Sequence, residues 1–303
     1  MIIGAALVLA ATPALATAPL LTPEDLASLL GDENVVIIDV RGEPSEGSAE
    51  IYAEGHTPGA IYAPFSDEHW RATVDGVQKL LPPVPQIEAY IRSLGIDDDD
   101  QVVLIHSGIP GSAHDFGSAA RVYWTFKVLG HDAVSILDGG VAGWENAGQR
   151  LATSATEPDA PSDFTAKFDR SIYASTADVA AAMDGPIALL DSRDHEAFVG
   201  SKKTPYVAAA GTIPTSVNVD ADTMLDGVKM ADPESLRVVF AAAGADAEAP
   251  GITFCDSGHL SAVTWFALHE ILGIKQARLY DGSMTEWTMD GSRSVAIGDG
   301  AAN

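Results

Sequence analysis

IALLDSRD, residues 187–194, decides the fold, because VVIIDVRG, residues 35–42, has already said the same thing. Each is a short apolar run that closes on Asp-x-Arg, Asp191 with Arg193 and Asp39 with Arg41. A short apolar run bounded by polar residues reads as a buried strand. Further landmarks follow both copies in the same order, at an offset of about 150 residues. GHTPGAI (55–61) matches GTIPTSV (211–217), VVLIH (102–106) matches GITFC (251–255), and LDGGVAGW (137–144) matches LYDGSMTEW (279–287). Before the last landmark, each half carries a helical pattern, SAARVYWTFKVLG (118–130) and SAVTWFALHEILG (261–273). Apolar residues there recur at three- and four-residue steps, and a Gly stops each helix.

Strands alternating with helices predict parallel sheets covered on both faces. The chain therefore reads as α/β, with two tandem domains, each a mainly parallel sheet flanked by helices. The expected domains are 20–150 and 172–292, joined by 151–171 and followed by a tail at 293–303. The join contains TSATEPDAPSD (153–163), whose Ser, Thr, Pro and acids mark a surface linker.

Residues 1–16, MIIGAALVLAATPALA, read as a cleavable signal peptide ending in Ala14-Leu15-Ala16. Export to the periplasm is expected. Pro13 and the shortness of the run oppose a membrane anchor, which needs about 20 apolar residues. With 17 Lys and Arg against 43 Asp and Glu, the net charge is −26. That field repels nucleic acid and anionic lipid, so neither is an expected partner. The eight His residues have no zinc-ligand spacing, and no metal site is expected. Asp97–Asp100 read as a solvated acidic turn rather than a calcium loop. Trp144 and Trp287 read as core residues, and Asp39 and Asp191 as caps of the turns that follow them.

Cys255 is the single cysteine, so no internal disulfide forms. An unpaired thiol in an oxidising compartment is a liability unless buried or used. It ends an apolar run, and the loop Asp256-Ser257-Gly258-His259-Leu260-Ser261 leads into a helix expected to start near Ser261. Backbone N–H groups of such a loop, with the helix dipole, favour an anion at its centre. A thiolate there is stabilised and becomes a competent nucleophile. Gly258 lets the loop curl, Ser257 and Ser261 add hydroxyls with Ser261 as N-cap, and His259 offers a proton or simply fills the loop. In the first half His106 stands where Cys255 stands, and about six extra residues lengthen the loop GIPGSAHDFG (108–117). Activity is therefore expected of the second half alone.

The tandem repeat, the Asp-x-Arg strand ends, GHTPGAI, LDGGVAGW and the Cys loop resemble the two-domain rhodanese sulfurtransferases of the thiosulfate or 3-mercaptopyruvate type. The resemblance covers nearly the whole mature chain. It implies a first domain without catalysis and a catalytic second domain in which Cys255 carries sulfur as a persulfide cradled by Asp256 to Ser261. It implies a small-molecule sulfur donor, a thiol or cyanide acceptor, and no cofactor. Arg193 matches an arginine that binds the donor's anionic group; an internal salt bridge to Asp191 or Glu196 is the other reading. His56 matches a histidine of a proton relay with the loop serine; a purely structural turn role is its other reading. The chain departs from the family pattern at three places. Asp256 and Leu260 stand where thiosulfate enzymes carry basic residues, and Ala197 stands where a second arginine is usual. Ser257-Gly258 follows the mercaptopyruvate pattern, and His259-Leu260 leaves it.

Those departures keep a second function open, a non-catalytic periplasmic protein that binds sulfane sulfur or an anion for a partner enzyme. A Cys-dependent phosphatase is disfavoured, because its Cys-x5-Arg loop needs Arg where Ser261 stands. Two domains around one shared cleft suggest a monomer.

Overall fold

Asp39 and Asp191 end their strands at the same point of two equivalent sheets. Val35–Asp39 pairs in parallel with Gln101–Ile105, placing Asp39 opposite Ile105. Ala188–Asp191 pairs in parallel with Gly251–Phe254, placing Asp191 opposite Phe254. His106 and Cys255 are thus the first residues beyond matching strands. The computed structural model describes residues 17–42, 48–66, 68–159 and 161–298, so the expected signal peptide lies outside the described residues.

Each sheet has five parallel strands in the same spatial order. The first runs Ile61–Tyr62, Val35–Asp39, Gln101–Ile105, Val134–Leu137, Leu20–Leu21. The second runs Val217–Asn218, Ala188–Asp191, Gly251–Phe254, Arg278–Tyr280, Tyr173–Ala174. The strands that lead to His106 and Cys255 are central, and their near-continuous apolar content follows from burial on both faces.

The helices Ala113–Val128 and Leu260–Phe266 lie between the sheets and pack on each other. Tyr123 meets Phe266 edge-on at 4.9 Å, and Phe116 meets it at 5.7 Å. One apolar core therefore runs through both domains, while the outer face of each sheet has its own smaller cluster. A fully buried aromatic of this kind contributes about 2 kcal/mol, so the interface holds the domains as a core does.

Two short hairpins cross that interface in opposite directions. Ala72–Val74 with Val77–Leu80 reaches the second domain, where Leu81 N donates to Asp281 Oδ2 at 2.8 Å. Leu225–Asp226 with Lys229–Met230 reaches the first, where Met230 N donates to Asp138 Oδ1 at 3.2 Å. Asp138 and Asp281 hold equivalent places in the repeated LDGG and LYDGS turns, so the exchange is reciprocal.

The structure differs from the sequence reading in three local ways. The first-half helix begins at Ala113 rather than Ser118, so part of the expected loop is its first turn. The second-half helix begins at Leu260 with His259 as N-cap, and Ser261 lies inside it. The Asp97–Asp100 turn is not simply solvated: Asp97 and Asp98 carboxylates accept from Asp163 N at 2.9 Å and Thr165 N at 2.7 Å. That turn pins the join to the first domain. Trp144 and Trp287 are buried, as core residues should be.

Candidate active site

The Asp-x-Arg strand ends are buried clamps. Arg193 Nε donates to Asp191 Oδ1 at 2.9 Å, Nη2 to Asp191 Oδ2 at 2.6 Å, and Nη2 also to Gly211 O at 2.8 Å. Arg41 repeats this with Asp39 at 2.9 and 2.7 Å and with Gly55 O at 2.8 Å. Each Asp also accepts the Arg backbone N–H at 3.1 Å, which is the expected turn cap. The pair ties the end of the strand beside the central one to the GHTPGAI or GTIPTSV segment. Charge-assisted, bidentate geometry makes such a pair rigid.

The two halves diverge at the next residue. In the second half the Cys255 sulfur accepts from Ser257 N at 3.4 Å and from Ser261 Oγ at 3.6 Å. Ser283 Oγ accepts from Cys255 N and from Gly258 N, both at 3.1 Å, and so braces the loop from behind. Thr285 Oγ1 donates to Asp256 O at 2.6 Å and adds a second brace. Gly258 has φ +77°, and a Cβ there would stand 2.3 Å from Arg121 Nη1. No other residue type fits that conformation and that space. Arg121 comes from the first domain, donates to Gly258 O at 3.2 Å and pairs with Asp281 at 2.5 Å.

In the first half the loop holds a carboxylate. Ser107 N, Gly108 N and Ile109 N donate to Asp115 at 2.9, 2.7 and 2.9 Å, and His106 Nδ1 lies 2.8 Å from it. Burial pushes Asp115 up, but His106 and these N–H groups outweigh burial and hold it at about 2. The first loop is still an anion cradle, filled by its own side chain, and it has no thiol.

Above Cys255 opens a pocket of about 400 Å³. Arg71, Lys79, Arg193, Lys202 and Lys203 line it, five of the chain's 17 basic residues, against Asp194 and Asp256. In so acidic a protein this is a local reversal of charge, suited to an anion. Arg71 and Lys79 belong to the first domain's hairpin segment. Lys202 pairs with Asp194 at 2.8 Å, Lys203 Nζ donates to Val207 O at 2.8 Å, and Lys79 lies 4.4 Å from the Tyr206 ring centroid. Burial, with Asp256 nearby, raises the Tyr206 phenol, so it stays protonated at neutral pH.

The expected site residues divide. Cys255, Asp256, Ser257, His259 and Leu260 line the pocket, and Ser261 and Gly258 shape its floor. Asp256 Oδ1 accepts from Arg193 Nη1 at 3.1 Å, so its charge is offset within the protein. Arg193 lines the pocket too, but the bonds above engage its guanidinium, and its internal partners are Asp191 and Asp256 rather than Glu196. His259 is buried against Phe65 and lies 3.4 Å from Ser118 Oγ. Burial, then Arg71 and His114, drive its pKa well down, so it is neutral at pH 7. His56 stands apart. It is fully buried in the first domain, stacked 3.8 Å from Tyr52, with Nδ1 2.8 Å from Tyr52 O. It is not among the residues lining the pocket; the geometry matches its structural reading.

Sequence reasoning missed Ser283, Arg71, Lys79 and the two lysines. Ser283 left one trace: it replaces Gly140 of the first copy, and both have positive φ, +50° and +57°. A non-glycine residue held there is strained, and such strain clusters at functional sites. Among the described residues no cluster of His, Cys, Asp and Glu could hold a metal, and no helix is long and apolar enough to cross a membrane.

A rhodanese-like domain model matches residues 22–147 and again 175–290. The chain is 33% identical over 295 residues to a probable 3-mercaptopyruvate sulfurtransferase of Pseudomonas aeruginosa, covering 94% of this chain and 100% of that protein. It is 32% identical over 241 residues to a thiosulfate sulfurtransferase of Cricetulus griseus, covering 78% of each. The crystal structure of SseA from Escherichia coli, described as a 3-mercaptopyruvate sulfotransferase, superposes with a TM-score of 0.77 at 26% identity. That match covers 88% of this chain and 99% of the other.

Proposed function

The chain belongs to the rhodanese family, whose domain it carries twice, and from that premise we propose a sulfurtransferase acting through a Cys255 persulfide. The donor is a small sulfur-bearing anion, thiosulfate or 3-mercaptopyruvate, and the acceptor a thiol or cyanide. The relatives named for these two activities support the reading. The observation that carries it is the seat of the only thiol, on the floor of a cation-lined pocket with Ser257 N–H and the Ser261 hydroxyl on its sulfur.

Each step balances. The Cys255 thiolate attacks the outer sulfur of thiosulfate, the S–S bond breaks, and sulfite leaves with the electron pair. With 3-mercaptopyruvate the C–S bond breaks instead, carbon takes the pair, and the thiol proton ends on that carbon, giving pyruvate. Both leave Cys255–S–S⁻. The donors at Ser257 and Ser261 that meet the thiolate also serve the persulfide, since charge-assisted hydrogen bonds to an anion are stronger than neutral ones. The acceptor thiolate or cyanide then attacks the terminal sulfur and frees the Cys255 thiolate.

The binding-protein alternative gains no support from the relatives, which are named as enzymes. The basic residues missing from the loop are replaced around it by Arg71, Lys79, Lys202 and Lys203. Thiocyanate formation from cyanide tests the proposal with each donor in turn. Turnover is expected with at least one donor and none in Cys255→Ser; no thiocyanate, sulfite or pyruvate from the wild type would overturn it.

Two finer points complete the proposal. One chain supplies both walls of the pocket, which supports a monomer as the working unit; sedimentation measures it. The apolar run ending Ala14-Leu15-Ala16 supports export with removal of residues 1–16, and the mass of the mature protein checks it.

A further inference from the structure

The first domain has no thiol, yet one of its side chains grips the Cys255 loop. Arg71 Nη2 donates to Ser257 Oγ at 2.9 Å and to Ser257 O at 3.2 Å. Its Nε donates to Lys79 O at 3.2 Å, which ties it to the far strand of its own hairpin. Its guanidinium carbon lies 5.2 Å from the Phe65 ring centroid. The hairpin docks again through Leu81 N on Asp281, so the guanidinium is fixed from both ends. Burial, then Arg121, push Arg71 down to about 10, and it remains a cation at neutral pH.

The two other arginines beside the Cys255 loop are matched to carboxylates. Arg193 faces Asp191 and Asp256, and Arg121 faces Asp281. His259 is neutral, and Tyr206 stays protonated. Lys79 lies over the Tyr206 ring. Among the described residues, the hydrogen bonds of Arg71 go only to uncharged oxygens. Its charge reaches the Cys255 loop with no carboxylate bonded to it, Asp281 acting on it only through space, and the loop Cys-Asp-Ser-Gly-His-Leu-Ser offers no cation of its own.

We propose that Arg71 is a positioning residue for sulfur transfer. From the first domain it holds Ser257, keeps the Ser257 N–H on the Cys255 sulfur, and supplies across the interface the positive charge the loop lacks. The domain without the thiol is thereby half of the active site. The inference rests on the persulfide reading for its effect on turnover, but not for its effect on the thiol itself.

The test uses the single cysteine as its own probe. Alkylation of Cys255 by iodoacetamide at pH 7, with no sulfur donor present, is timed in wild type, Arg71→Gln, Arg71→Lys and Ser257→Ala. Arg71→Gln is expected to slow alkylation about tenfold, the lower end of what an adjacent opposite charge does to an ionising group. Arg71→Lys should recover most of that rate, and Arg71→Gln with Ser257→Ala should be no slower than the slower single variant. In turnover with thiosulfate or 3-mercaptopyruvate, Arg71→Gln should lower kcat, because the clamp acts on the nucleophile, whatever rise in KM follows from removing one of the pocket's cations. Alkylation within twofold of wild type in Arg71→Gln, or a defect confined to KM, would overturn the assignment. If Arg71→Gln does not fold, Ser257→Ala decides: slowed alkylation upholds the clamp, and a wild-type rate removes it. A wild type that alkylates in this pattern yet turns over no donor refutes the sulfurtransferase reading and leaves the Arg71 clamp standing.

Discussion

Replacing Gly258 by Ala attacks the site at its tightest point. Two costs add. The backbone there has φ +77°, where a side chain costs about 1–2 kcal/mol. The new Cβ would stand 2.3 Å from Arg121 Nη1, with Asp281 O at 3.0 Å and Asp281 Oδ1 at 3.1 Å. Non-bonded heavy atoms rest near 3.5 Å, so Arg121 must yield. It cannot do so cheaply, being 1% exposed, paired with Asp281 at 2.5 Å and stacked 4.6 Å from the Trp124 ring centroid. Overpacking of this kind costs about 1–3 kcal/mol, for a total of about 2–5 kcal/mol. Gly273 is the matched control: its φ is also +77°, but nothing lies within 4 Å of its Cβ position. Gly273→Ala should therefore lose only about 1–2 kcal/mol. Urea unfolding of the two variants followed by tryptophan fluorescence measures the difference, and persulfide loading reports the shift of the loop. A Gly258→Ala protein as stable as Gly273→Ala, loading sulfur at the wild-type rate, would refute the reasoning.

Three further outcomes follow from the same geometry. Asp115 is held at about 2, below its unfolded value of 3.8, so it stabilises the fold above that value and loses the contribution as pH falls toward 2. Asp115→Asn should lose about 2 kcal/mol at pH 7 and show a flatter acid limb in unfolding experiments. Ser283→Ala strips the acceptor from two buried N–H groups, at about 1–3 kcal/mol each, and should slow Cys255 alkylation as the loop loosens. Lys203→Met should raise KM for an anionic donor about threefold, more at low ionic strength than at high, as screening requires; steady-state kinetics at two salt concentrations read this.

The duplicated landmarks made the architecture legible. Asp39 and Asp191, His106 and Cys255, and the paired LDGG and LYDGS turns fall at equivalent points of two sheets with one strand order. Local periodicity suffices for that, because each landmark records burial in its own segment. The site was legible only as far as it is local. Cys255, Ser257 and Ser261 lie within seven residues of one another, and the sulfur does receive both serines. Arg71 acts on Ser257 from 186 positions away, and nothing near either residue announces it. The Asp-x-Arg motif carried an ambiguity that sequence does not resolve: the same arginine binds a donor or closes a clamp, depending on where Gly211 O and Asp256 stand. Asp115 escaped notice for a related reason. Its role depends on the helix starting at Ala113, before the periodic pattern becomes visible.

The measurement that bears most directly on the central claim is the intact mass of the protein after incubation with thiosulfate or with 3-mercaptopyruvate, beside Cys255→Ser. The account predicts a gain of one sulfur, about 32 Da, in the wild type alone, reversed by cyanide or a thiol. An unchanged wild-type mass with both donors, or the same gain in Cys255→Ser, would contradict it.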